Sequence, residues 1–178
     1  SVVNFTLAEN VENLVLIGSR AFQGIGNGGH NLIVGNASNN TIYGRGGNDT
    51  LQGGAGRDTL VGGTGRDTYY VDSSADVVVE DTDRTSSRPD LVISTAGSYR
   101  LGAFVEDLTL AGARNLSGFG NALRNTLRGN SGNNRLDGGG GADQMFGGRG
   151  NDSYVVDDPG DRARESIGGG VDTVLSSV

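Results

Sequence analysis

The stretch GRGGNDTLQ GGAGRDTLV GGTGRDTYY, residues 44–70, contains three consecutive copies of one nine-residue unit. Each copy has glycine at position 1, aspartate at position 6 and a large apolar or aromatic residue at position 8. Glycine permits sharp backbone bends, and the last three residues of the unit suit a short strand whose central side chain points inward. A fixed short period of this kind predicts an all-β solenoid.

The same frame continues on both sides of this stretch. It begins at Gly26, runs for five units, and resumes at Gly120 for four more. Two units would complete one coil, so that residues two units apart become neighbours. The position-8 residues, which we expect to form the core, are Ile33, Ile42, Leu51, Leu60, Tyr69, Leu127, Leu136, Met145 and Tyr154.

The two blocks belong to a longer duplication, because VENLVL at 11–16 returns as VEDLTL at 105–110. Short apolar runs between the blocks predict strands, and the polar, proline-containing segment 83–90 predicts a loop. The predicted organisation is leading strands 1–25, a first repeat block 26–80, connector strands and loop 81–119, a second block 120–165, and the start of a further connector 166–178. We expect the sequence to stop part-way through an array.

Composition excludes several classes of protein. The net charge of −7 disfavours binding to nucleic acid or anionic membranes. Without cysteine, the chain can form neither disulfides nor thiolate zinc sites. No apolar run approaches the ~20 residues of a membrane helix, and the first residues do not resemble a signal peptide. Glycine supplies 33 of 178 residues and only 34% are hydrophobic, so hydrophobic burial needs help from another interaction.

The regularly spaced carboxylates indicate what that interaction is. Carboxylates stacked in neighbouring coils repel one another, and a hard cation held by carboxylate and carbonyl oxygens removes the repulsion; the flexible oxygen cage suits calcium. Position 6 carries Asp49, Asp58, Asp67 and, by extension of the frame, Asp76 in the first block, and Asp143, Asp152 and Asp161 in the second.

Pairs of position-6 residues two units apart divide into two kinds. The pairs with two carboxylates are Asp49/Asp67, Asp58/Asp76 and Asp143/Asp161. Those with one asparagine are Asn31/Asp49, Asn40/Asp58, Asn125/Asp143 and Asn134/Asp152. Because an amide offers a carbonyl oxygen without the charge, we expect the asparagine sites to bind calcium more weakly or to stay empty.

The units GGAGRDTLV and GGTGRDTYY resemble the RTX (repeats-in-toxin) nonapeptide, a calcium-binding repeat. The resemblance implies a right-handed parallel β-roll that binds several calcium ions, about three to five, and a chain that leaves the cell by type I secretion and folds in extracellular calcium. It also implies that turn carbonyls serve as ligands. Those residues are Gly44, Gly46, Gly53, Ala55, Gly62, Thr64, Gly138, Gly140, Gly147 and Arg149.

The expected function is a structural and secretion module of a larger secreted bacterial protein, such as an adhesin, surface-layer protein or toxin. The alternative is an accessory C-terminal module of a secreted protease, lipase or polysaccharide epimerase or lyase. Intrinsic catalysis is not expected, because His30 is the only histidine and only position 8 is reliably apolar. Expected partners are calcium, neighbouring modules of the same chain, and a polysaccharide or cell-surface ligand; the fragment itself should be monomeric.

Threonines also recur at position 7, as Thr41, Thr50, Thr59 and Thr68. They would align as two outward threonines on each face. Ice-binding solenoids carry such ladders, but two per face is too short, and strand propensity accounts for these threonines.

Overall fold

The computed structural model describes residues 3–81 and 89–178, and β-strands are the regular secondary structure of these ranges. Most of the predicted loop at 83–90 lies outside the described residues. The first nine strands are β1 (Val3–Thr6), β2 (Asn13–Val15), β3 (Phe22–Ile25), β4 (Leu32–Val34), β5 (Thr41–Gly46), β6 (Thr50–Gln52), β7 (Thr59–Thr64), β8 (Thr68–Val71) and β9 (Val77–Val79). The remaining strands are β10 (Leu91–Ser94), β11 (Ser98–Arg100), β12 (Asp107–Leu110), β13 (Ser117–Phe119), β14 (Thr126–Arg128), β15 (Arg135–Asp137), β16 (Gln144–Phe146), β17 (Ser153–Val156), β18 (Arg162–Arg164) and β19 (Thr173–Ser176).

The chain divides into two compact units, residues 1–91 and 92–178. In the first unit, one parallel sheet has the order β1-β3-β5-β7-β9 and the other contains β2-β4-β6-β8. In the second, the corresponding orders are β10-β12-β14-β16-β18 and β11-β13-β15-β17-β19. Successive strands alternate between sheets, so two strands make one coil. The predicted all-β, parallel solenoid is confirmed.

Strand register confirms that one coil of the repeat blocks contains two nine-residue units. Thr50 pairs with Thr68 in β6 and β8, and Thr41 pairs with Thr59 in β5 and β7. Coils that involve the connectors are longer, by one residue between Asp107 and Thr126 and by two between Ser153 and Thr173. The connectors therefore keep the strand pairing and take up their extra residues between strands.

Most strands contribute one large side chain to the core. All nine position-8 residues are at most 1% exposed, which confirms that they point inward. In the connectors, Leu14, Val92 and Leu108 occupy the equivalent central position of β2, β10 and β12 and are also buried. Such a narrow core buries little apolar surface per residue, so other interactions must stabilise the coils.

The turns between strands depend on glycine where neighbouring coils approach closely. Gly63 has φ 99°, in the left-handed region that favours glycine. It pairs with Arg45 of the preceding coil, because β5 and β7 both extend into the turn. A methyl group at Gly63 would overlap the Arg45 carbonyl oxygen. Gly28, by contrast, lacks a left-handed φ, and a methyl group there would meet no atom within 4 Å.

We predict that Gly63→Ala destabilises the fold by about 1–3 kcal/mol, the usual cost of forcing a side chain into such a conformation, with further cost from the overlap. Gly28→Ala is the matched control and should change stability by less than about 1 kcal/mol. Urea unfolding of both variants in excess calcium measures the difference. Equal stabilities would contradict the turn geometry described above.

Candidate metal sites

Position-6 residues of neighbouring coils form a hydrogen-bond ladder. The backbone N–H of Asn31 donates to Asp49 Oδ1 at 2.7 Å, and that of Asp49 donates to Asp67 Oδ1 at 2.7 Å. The structure therefore brings together the residues that the two-unit spacing predicts to be neighbours. The same bond links Asn40 to Asp58, Asp58 to Asp76, Asn125 to Asp143, Asn134 to Asp152, and Asp143 to Asp161.

Two further members of the ladder were missed by the sequence frame. The Asp67 N–H donates to Asp90 Oδ1 at 2.7 Å, and the Asp152 N–H donates to Asp172 Oδ1 at 2.9 Å. These partners stand 23 and 20 residues along the chain, farther than the two-unit spacing. The available signal was that Asp90 and Asp172 each directly precede a short apolar strand, as position-6 residues do. With them, five pairs contain two aspartates.

The first aspartate of each such pair has one oxygen without a hydrogen-bond donor. While Oδ1 accepts the ladder bond, Oδ2 is buried and has no partner among the described residues. These five atoms are the Oδ2 atoms of Asp49, Asp58, Asp67, Asp143 and Asp152. A buried acceptor left unsatisfied costs about 1–3 kcal/mol, and more when it is charged. A bound cation would satisfy it, so the residues present fit a metal site.

Backbone carbonyls face the same unsatisfied oxygens. A methyl group at Gly44 would lie 2.8 Å from the Gly62 carbonyl oxygen and would overlap Asp49 Oδ2. The carbonyl of one coil and the carboxylate of the preceding coil therefore converge beside a residue that has no side chain. Oxygens of these two kinds form the flexible cages that calcium prefers.

The other predicted carbonyl residues occupy different surroundings. Gly46 and Thr64 pair with each other at the ends of β5 and β7, and the Thr64 carbonyl accepts a hydrogen bond from the Gly47 N–H at 3.0 Å. The carbonyls of Gly53, Gly138 and Gly147 lie against the position-1 glycines of the preceding coils. Ala55, Gly140 and Arg149 lie in turns that follow β6, β15 and β16.

Asp76 and Asp161, also predicted at position 6, have a different environment. Asp76 Oδ2 accepts backbone N–H bonds from Asp72 at 3.2 Å and Ser73 at 3.1 Å. Asp161 Oδ2 accepts equivalent bonds from residues 157 and 158, both at 3.1 Å. Backbone N–H groups therefore satisfy both oxygens of each of these carboxylates. Each is the second aspartate of its pair and has no unsatisfied oxygen of its own.

The asparagines at position 6 are satisfied by the protein. In each, Oδ1 accepts the position-2 N–H of its own turn at 2.8 Å, and Nδ2 donates to an oxygen. Asn125 Nδ2, for example, donates to the carbonyls of Val105 at 3.0 Å and Glu106 at 3.1 Å. Asn31, Asn40 and Asn134 make corresponding bonds. Amide hydrogen bonds therefore stabilise the turns that contain a position-6 asparagine. The turns that contain the first aspartate of a pair have an unsatisfied carboxylate oxygen instead.

Each block ends in a cluster of three carboxylates that sequence reasoning also missed. One cluster is Asp67, Glu80 and Asp90, and the other is Asp152, Glu165 and Asp172; in each, one oxygen per residue lies within 4.8 Å of the others. The hydroxyl groups of Tyr69 and Tyr154 donate to Glu80 and Glu165. The signal in the sequence was a glutamate placed two repeat units after the position-1 glycines Gly62 and Gly147.

Burial is the main electrostatic influence on these carboxylates. It raises the pKa of Asp49, Asp58 and Asp67 to about 6, and that of Asp143 to about 7, against backbone hydrogen bonds that lower them. Burial likewise raises the pKa of Glu80 to about 8, while the bond from Tyr69 lowers it. Without a cation, folding thus opposes ionisation of the groups that the ladder brings together.

Comparison with known families agrees with this arrangement. Residues 25–60, 43–78 and 119–154 match the family model described as RTX calcium-binding nonapeptide repeat. Together the matches cover just over half of the chain. The chain belongs to the RTX calcium-binding nonapeptide repeat family. Its RTX repeats make it a calcium-binding structural module, and proteins with such repeats are typically secreted. A comparison with curated proteins finds no match.

His30 has a structural contact in the RTX coil. Its Nδ1 accepts the backbone N–H of Asn48, one coil later, at 2.6 Å. At the same position of other turns an asparagine does this: Asn39 Oδ1 accepts the Arg57 N–H at 2.9 Å. The exposed His30 side chain therefore takes part in a second ladder between coils, which explains why an imidazole stands there.

The raised aspartate pKa values predict how the metal-free fold responds to pH. The folded state retains protons up to about pH 6–7, whereas the unfolded state releases them near pH 4. Stability is therefore highest below the unfolded pKa and falls as pH rises through this window. Circular dichroism in a chelator should show more β-structure at pH 4.5 than at pH 7.5. Less β-structure at pH 4.5 would contradict the burial of these groups.

Exchange of an asparagine turn for an aspartate turn should create a new calcium requirement. Asn40→Asp would place a charge in a buried site and remove the amide donor to Asn36. We expect a higher calcium concentration for half-maximal folding and lower stability in a chelator. The matched control is Asn39→Asp, its exposed neighbour, whose Oδ1 can still accept the Arg57 N–H. Calcium titration followed by circular dichroism compares the two, and identical midpoints would refute the expectation.

Proposed function

We propose that this RTX β-roll folds on binding extracellular calcium and serves as a structural and secretion module of a larger secreted bacterial protein, such as an adhesin, surface-layer protein or toxin. The observation that carries the proposal is the set of five buried Oδ2 atoms without a hydrogen-bond donor in the described part of the chain. Each belongs to the first aspartate of a carboxylate pair, so the fold itself creates the demand for a cation.

Energetics support a fold that depends on the ion. Most strands contribute only one large side chain to the core, and glycine supplies 33 of the 178 residues, which makes ordering costly. Bound calcium would neutralise the paired carboxylates and stabilise the folded state by mass action. Extracellular calcium modules bind at about 10⁻⁴–10⁻³ M, so this chain would remain unfolded in the cytosol and pass through a type I secretion channel in that form.

The proposed ligands follow from the ladder. Two aspartates would supply each of five sites: Asp49/Asp67, Asp58/Asp76, Asp67/Asp90, Asp143/Asp161 and Asp152/Asp172. Turn carbonyls, with that of Gly62 beside Asp49 as the example, would complete them. Five sites is the upper end of the three to five expected. The position-6 asparagines would contribute weakly or not at all, because their amides already bond to the protein.

The duplicated organisation supports a role within a larger array. Each copy of the duplication carries a repeat block, and the apolar side chains of β18 and β19 near the end of the second copy are exposed, including Val174 and Leu175. We propose that the blocks 26–80 and 120–165 bind calcium, and that the connectors link them to neighbouring modules of the same chain. The described residues include no helix long and apolar enough to cross a membrane.

The test is a calcium titration of the metal-stripped chain, followed by far-UV circular dichroism, with magnesium as the control. Calcium should convert coil to β-structure, whereas magnesium, which prefers a tighter octahedron and retains its waters, should not. Calorimetry at saturation should count about five ions, one per unsatisfied oxygen. Full β-structure in a strong chelator at pH 7.5 would show that the core suffices without metal and would overturn the proposal.

A further inference from the structure

The last site of each block differs from the sites before it. Besides its two aspartates, it has a glutamate within ligand distance: Glu80 beside Asp67 and Asp90, and Glu165 beside Asp152 and Asp172. Asp67 and Asp152 are 0% and 2% exposed, and the Oδ2 of each has no hydrogen-bond partner among residues 3–81 and 89–178. An unsatisfied, fully buried oxygen therefore points into each cluster.

The glutamates stand where an inner coil presents a backbone carbonyl. In the inner coil, the space at the Gly44 Cα is bounded by Asp49 Oδ2 and by the carbonyl of Gly62, the residue two units later. At Gly62, the residue two units later is Glu80. A methyl group at Gly62 would lie 2.7 Å from Glu80 Oε1 and would overlap Asp67 Oδ2. The atom nearest to this position is the Tyr69 hydroxyl oxygen, and the glutamate carboxylate lies beside it, two units along the chain as the Gly62 carbonyl is in the inner coil.

The second block repeats this arrangement independently. Glu165 stands two units after Gly147, and a methyl group at Gly147 would overlap both Glu165 Oε1 and Asp152 Oδ2. The connectors that follow differ in length, since Asp90 lies 23 residues after Asp67 and Asp172 lies 20 after Asp152. In both blocks the glutamate faces the position-1 glycine although the following connector differs; Glu80 is buried, whereas Glu165 is exposed.

From these contacts we propose that Glu80 and Glu165 are direct metal ligands that close the last calcium site of each block with a third carboxylate. This inference rests on the proposed calcium-dependent fold and places two of its five sites in a distinct class. Three carboxylates attract a divalent cation more strongly than two, because affinity in oxygen cages rises with ligand charge. These two sites should therefore fill first and order the end of each block.

A tyrosine holds each glutamate in place. Tyr69 and Tyr154 occupy position 8 of the last unit in each block, where the other units have an aliphatic residue or methionine. Both tyrosines are buried, and their hydroxyl groups donate to Glu80 and Glu165. The tyrosines are positioning residues in this scheme. Their rings also lie next to the proposed ion, which makes each terminal site observable by sensitised luminescence of bound terbium, a lanthanide stand-in for calcium.

The experiment compares the full 178-residue chain with Glu80→Gln, Glu165→Gln and the double variant, and uses Glu9→Gln, an exposed glutamate outside the repeats, as the matched control. Calorimetry with calcium and tyrosine-sensitised terbium luminescence are the readouts. Each single variant should weaken one terminal site by about tenfold or more, as expected for loss of a charged ligand, while the other block serves as an internal reference. The double variant should lose the tight class of sites and retain the others.

The Tyr69→Phe variant tests whether Glu80 binds the ion directly or only supports the fold through its contact with Tyr69. It removes the hydroxyl contact but keeps the Glu80 carboxylate, so calcium stoichiometry should stay the same while terbium emission changes. Unchanged calcium affinity and stoichiometry in Glu80→Gln and Glu165→Gln would overturn the inference and leave the proposed function intact. Absence of calcium binding in the unmodified chain would instead overturn the proposed function. If a glutamine variant fails to fold, partial recovery of calcium affinity in Glu80→Asp supports coordination, and no recovery contradicts it.

Discussion

The structure depends on the two oxygens of the position-6 carboxylate, which have opposite surroundings. One oxygen accepts the backbone N–H of the preceding coil and sets the register, as between Asp49 and Asp67. The other is buried without a donor in the described chain. The bond that aligns the coils therefore also removes water from a charged group, which opposes folding until a cation compensates. The same close stacking requires glycine at turn positions such as Gly63.

The three kinds of position-6 residue satisfy the same geometric constraint in different ways. At the start of each block an asparagine, such as Asn40 or Asn125, bonds through its amide to neighbouring oxygens. In the following turns, aspartates such as Asp58 keep an unsatisfied oxygen. In the last turn, the Oδ2 atoms of Asp76 and Asp161 accept two backbone N–H groups each. The unsatisfied oxygens therefore lie between the asparagine turns and the last turn of each block.

The connectors preserve this ladder although they abandon the nine-residue frame. Asp90 stacks on Asp67 after 23 residues, and Asp172 stacks on Asp152 after 20. The contact between neighbouring coils is kept, whereas the length of chain that connects them varies. Longer connections cost little extra loop-closure entropy. The glutamates at the block ends supply a carboxylate at the point where the regular succession of turn glycines ends.

The sequence by itself determined the coil period, the inward residues such as Leu60 and Met145, and the aspartate pairs two units apart, because identical units that stack place identical positions in contact. The family and its affinity for calcium follow from the same pattern. Only the tertiary structure decided which carboxylate oxygens lack donors, why Asp76 differs from Asp58, and how Asp90 and Glu80 reach Asp67. Those contacts depend on the hydrogen bonds of individual turns and on connectors of irregular length. The repeat pattern in the sequence specifies neither of these.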